Sequence, residues 1–87
     1  MTAEPEAIGS AIARLEQANV DEPPEYWQAL LDDLQPFVDV EITNLGIACR
    51  YLVALRDRTD RADTSQGRAV YIEDATLFLE QALRYPR

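Results

Sequence analysis

An 87-residue chain carrying 16 acidic and 8 basic side chains, one cysteine and no histidine is bounded first by what it lacks. A chain this short buries only roughly 60–65% of its unfolded surface and has room for one core, so a single domain over residues 1–87 is expected. A lone Cys49 excludes an intramolecular disulfide, and without histidine the commonest general base, the nucleophilic triads and ordinary zinc sites all lose a member.

The first expected helix runs from about residue 5 to 19, with Ile8, Ala11, Ile12 and Leu15 at i, i+3, i+4 and i+7 and Glu16 and Gln17 facing away. Val20-Asp21-Glu22-Pro23-Pro24 interrupts it, because proline removes backbone donors and pushes the preceding residue out of the α region. A second helix over 24–35 follows, since proline suits a first helical turn and Tyr26, Trp27, Leu30, Leu31 and Leu34 make an apolar face. Pro36 stops or kinks it.

Beyond Phe37 two periods compete. Val38, Val40 and Ile42 alternate with Asp39 and Glu41 as in a half-buried strand, so 37–42 has an extended alternative. A helix over 38–58 fits the longer stretch, with Val38, Ile42, Leu45, Ala48, Cys49, Leu52, Val53 and Leu55 on one face. Val40, Ile47, Tyr51 and Ala54 fall on roughly the opposite side, which marks a central helix, and Gly46 within it costs about 1 kcal/mol relative to alanine. The charged run 56–67 lacks apolar periodicity and reads as an exposed connection with possible caps. A last helix over 68–85, with 69–72 as a possible extended start, buries Tyr71, Ile72, Ala75, Phe78, Leu79, Ala82, Leu83 and Tyr85 and leaves Val70 and Leu77 on its polar side. The expected fold is all-α, a small three- to four-helix bundle.

Chemistry is sparse. Cys49 sits mid-helix on the apolar face with no base near it in sequence, which favours a buried structural thiol over a nucleophile. Asp32-Asp33 and Glu73-Asp74 are adjacent pairs that diverge by about 100° around a helix and build no acid/base dyad. Asp57, Asp60 and Asp63 before Gly67 lack the ligand spacing of a calcium loop. Size, acidity and helicity resemble those of acyl and peptidyl carrier proteins, but the Asp-Ser-Leu triplet that holds their prosthetic group does not occur. No catalytic, cofactor or metal residue is expected, and the chain is read as a non-enzyme.

The remaining signals concern binding. All eight cations are arginine, a bias that a GC-rich or halophilic source explains. Residues 1–41 hold ten acidic groups and one arginine against six and seven in 42–87, so the N-terminal half repels nucleic acid. Three surfaces are candidates for a protein partner. They are the acidic segment with Asp32, Asp33, Asp39 and Glu41, the aromatic Trp27 as an anchor, and the off-face apolar set Ile47, Tyr51, Val70 and Leu77 with Val40. The apolar set exceeds what a three-helix monomer buries, so a homodimeric protein-binding or regulatory module is the expected function. An accessory subunit of a larger assembly and an acidic mimic of nucleic acid are the alternatives. With no apolar stretch of about 18 residues and no signal-like N-terminus, no membrane partner is expected and a cytoplasmic location is.

Overall fold

The computed structural model describes residues 3–39 and 42–85. Four α-helices, α1 (Glu4–Gln17), α2 (Pro24–Leu34), α3 (Asn44–Asp57) and α4 (Ser65–Arg84), pack around one core, and no strand occurs among the described residues. α3 lies between α2 and α4, and α1 packs along α4 and against α2. Glu4 lies beside Ala82 and Tyr85, while Leu15 lies beside Ala69 and Ile72, so α1 and α4 run antiparallel.

The two N-terminal helices form where the apolar period places them. α1 has proline in its first turn and Glu4 and Glu6 beside the positive end of its dipole, and it buries Ala7, Ile8, Ala11 and Leu15. After it the chain turns through Asn19, whose side chain accepts from the Asp21 amide at 2.8 Å, while the Asn19 amide donates to the Glu22 carboxylate at 3.0 Å. Pro24 then opens α2, which buries Trp27, Leu30, Leu31 and Leu34.

α3 is shorter than the periodicity predicts, starting at Asn44 and not at 38. Pro36 lies in a 3₁₀ turn over Gln35–Phe37, Val38 is extended at φ −84° and ψ 114°, and the Thr43 hydroxyl caps α3 by accepting from the Gly46 amide at 3.1 Å. A strong cap six residues into a compatible apolar period decides where the helix begins. Ile42, assigned by the wheel to the buried face, therefore stands ahead of the helix and is 80% exposed, and Gly46 falls in the first turn of α3 instead of its interior. Val40 and Glu41 lie outside the described residues. From Leu45 onward the wheel holds for Leu45, Ala48, Cys49, Leu52 and Leu55, which are buried, while Val53 is half-buried and Ala54, expected on the opposite side, is buried too.

α3 ends at Arg58, which adopts a left-handed conformation (φ 55°) and lets the Thr59 amide return to the Ala54 carbonyl at 3.1 Å. The charged connection is more ordered than an exposed linker: Asp60–Asp63 makes a 3₁₀ turn that buries Ala62 completely. α4 begins at Ser65, three residues earlier than expected, because the Thr64 hydroxyl accepts from the Gly67 amide at 3.0 Å. Residues 69–72 are helical. A Cβ on Gly67 would stand 1.6 Å from the Arg61 carbonyl oxygen, so only glycine lets the 3₁₀ turn approach α4 this closely.

Candidate functional site

Arg68, in the first turn of α4, ties the α1–α2 connection to this corner. Its guanidinium, on a residue only 5% exposed, donates from Nε to the Val20 carbonyl at 2.7 Å and from Nη1 to the Ala62 carbonyl at 2.9 Å. Nη2 donates to Asp21 at 3.1 Å and to the Ser65 hydroxyl at 3.2 Å. The planar fork satisfies carbonyls from two separate connections, which a lysine's single ammonium does not reproduce. No sequence period marks this arginine, because its Val20 and Asp21 partners lie 48 and 47 residues away.

The clamp fixes one wall of a groove. Between the last turn of α1, with the turn that follows it, and the outer side of α4 runs a solvent-open furrow of about 520 Å³. Its floor and walls include Leu15, Ala18 and Val20 from the α1 side and Ala69, Ile72 and Leu77 from α4. Every charged side chain on it is acidic: Glu16, Glu73 and Glu80. None of the three is hydrogen-bonded or ion-paired to another described residue. Thr76 also lines it, but its hydroxyl donates to the Ile72 carbonyl at 2.8 Å and needs no further partner.

The carboxylates of the acidic N-terminal half are differently disposed. Asp33 pairs with Arg14 at 2.6 Å, Asp32 accepts from Gln28 at 2.8 Å, Asp21 meets Arg68 and Glu22 closes the turn after α1. Gln28 in turn accepts from Arg56 at 2.8 Å, and Arg56 forks onto Asp57, whose carboxyl that hydrogen bond holds below the usual range. Asp32, Asp33 and Asp39 are all exposed, but the first two are held by the protein's own side chains and Asp39 also has an interaction within the fold. Glu41 lies outside the described residues.

The apolar set proposed from the sequence divides in two. Ile47 and Tyr51 are half-buried on the α3–α4 seam, where the Tyr51 ring meets Tyr71 edge-on at 4.9 Å and stacks on Phe78 at 5.9 Å. Tyr51 is thus covered from within by two rings of α4. Val70 and Leu77 remain open at 48% and 50% exposure, and Leu77 forms part of the groove. The Trp27 anchor is corrected outright, since its side chain is 0% exposed and packs edge-on against Tyr26 with ring centres 5.2 Å apart. Tyr26 takes the rim position instead, donating its hydroxyl to the Arg14 carbonyl at 2.6 Å; burial, then the Glu22 charge, push its pKa above the usual value.

Cys49 is buried and burial pushes its thiol up to about 11, so it is protonated and unreactive at neutral pH. Among the described residues no group of three or more Cys, Asp or Glu side chains is arranged to hold a metal ion, and no helix is long and apolar enough to cross a membrane. Comparisons with protein-family models, curated proteins and solved structures gave no match.

Proposed function

We propose that this chain is a non-enzymatic protein-interaction module that docks a partner along the outer side of α4. The observation that carries this reading is Leu77, half-exposed on the wall of an apolar groove in a bundle whose leucines on α1, α2 and α3 are all buried. A large aliphatic side chain left at such a site loses roughly 1 kcal/mol or more of burial that a partner supplies. An accessory subunit within a larger assembly is the form of module most consistent with a groove on a monomer this small. The chain is tested by co-purification from its source cells, with light scattering of the isolated protein beside it. A partner of fixed stoichiometry that is lost with Leu77→Asp and kept with Glu25→Gln supports the module. A chain that purifies alone and monomeric, with Leu77→Asp indistinguishable from wild type, overturns it.

A further inference from the structure

The groove's chemistry selects an occupant. Glu73 and Glu80 are seven residues apart on α4, two turns or about 10 Å along the axis, with Leu77 between them, and Glu16 faces them from α1. An apolar strip edged only by unpaired carboxylates, on a chain of net charge −8, favours cations at its margin. It disfavours a second copy of itself, which would bring the same three carboxylates to the seam, and it repels anionic lipid and nucleic acid alike. The α4 wall is a helix, and the facing wall is the last turn of α1 with the turn that follows it, whose Val20 carbonyl is taken by Arg68, so no strand edge is offered to an extended peptide, whereas a furrow along α4 matches the side chains of a further helix. From Ala69 to Glu80 the furrow runs about 17 Å along α4, the length of three helical turns.

We propose that this groove binds a basic amphipathic helix of a different protein. Its aliphatic residues pack on Ile72, Leu77 and Val20, and its lysines or arginines, seven residues apart, meet Glu73 and Glu80 while a further cation meets Glu16. The Arg68 hydrogen bond to the Val20 carbonyl holds the groove wall in place before binding, so little ordering is needed there. The proposal rests on the interaction-module reading and adds the class of partner to it.

The test uses the full chain and a labelled synthetic 18-residue leucine–lysine helix with lysines at i and i+7 flanking a leucine stripe, followed by fluorescence anisotropy and amide chemical-shift mapping. Wild type is expected to bind it, with shifts confined to residues 15–20 and to α4. Affinity is expected to fall at least tenfold with Leu77→Asp and with Glu16→Gln, Glu73→Gln and Glu80→Gln combined. It should change less than threefold when Glu6, Glu25 and Asp63, exposed acids away from the groove, are neutralised together. All of these substitutions are at exposed positions, and circular dichroism verifies the fold of each variant. Equal losses from the two triple variants would reduce the binding to net charge and overturn the proposal, as would shifts centred elsewhere or no binding. A wild-type dimer dissociated by Leu77→Asp would do so too, by assigning the groove to a second copy. If a co-purified partner is lost with Leu77→Asp but insensitive to the glutamate triple, the module reading stands and the basic helix falls.

Discussion

α2 and α4 use the same residue type to opposite ends. Leu30, Leu31 and Leu34 of α2 are all 0% exposed, whereas Leu77 and Leu83 of α4 keep 50% and 40% of their surface. The apolar stripe of the 11-residue α2 is covered by α1 and α3, while Leu77 stands mid-helix on the outer side of α4 and Leu83 in its last turn. Hydrophobicity alone does not decide what is core; which sides of a helix its neighbours cover does. The consequence is a bundle with one sealed flank and one open flank, and the three carboxylates on the open flank, Glu16, Glu73 and Glu80, border exposed apolar surface.

The sharpest way to break that comparison is a matched pair of truncations. Leu31→Ala removes a side chain with no exposed surface and is expected to cost about 3 kcal/mol in chemical denaturation, whereas Leu77→Ala is expected to stay within about 0.5 kcal/mol of wild type. Comparable losses from the two would mean that the open flank is covered in solution. The next largest effect concerns the clamp at the head of the groove. Arg68→Met keeps the bulk of the side chain but leaves the Val20 and Ala62 carbonyls without their donor, for an expected loss of about 2 kcal/mol. Its exposed Asp21 partner contributes little of this, so Asp21→Asn should lie within about 0.5 kcal/mol of wild type. If Asp21→Asn proves as costly as Arg68→Met, the ion pair and not the carbonyl fork holds the corner.

A chemical rather than a thermodynamic reading of burial is available at Cys49. Its thiol is raised from 9.0 to about 11 by burial, so the folded state favours the protonated form. The thiol's contribution to stability is complete below pH 9 and is lost as pH rises toward 11. At pH 8 the native thiolate fraction is about a hundredfold below that of the unfolded chain. Iodoacetamide labelling should slow at least to that extent on folding. Equal rates in native buffer and in urea would mean that the α3 flank opens readily.

The periodicity of α1, α2, the body of α3 and α4 was legible because each helix has a buried stripe whose spacing records the neighbour it packs against, although Leu83 and Tyr85, expected in the α4 stripe, lie at its end and are 40% and 63% exposed. The start of α3 was not. Val38 and Ile42 extend the same period backward, and nothing in a wheel weighs that period against the Thr43 cap. Tyr26 and Trp27 were legible as aromatic residues on the apolar face of α2, but Trp27, read as the anchor, is the sealed ring and Tyr26 the rim, because α1 reaches the Tyr26 hydroxyl. Leu77 was singled out from sequence as an apolar residue on a polar face, while Ile47 and Tyr51, grouped with it, face a different seam.

The sequence by itself determined an all-helical chain, because short-range period depends only on neighbours along the chain. Tertiary structure alone decided that Arg68 is buried, that Gly67 admits no side chain, and that Glu16 stands beside Glu73 and Glu80. Each of these depends on groups brought together from distant turns, and a local period carries no record of which distant turn arrives.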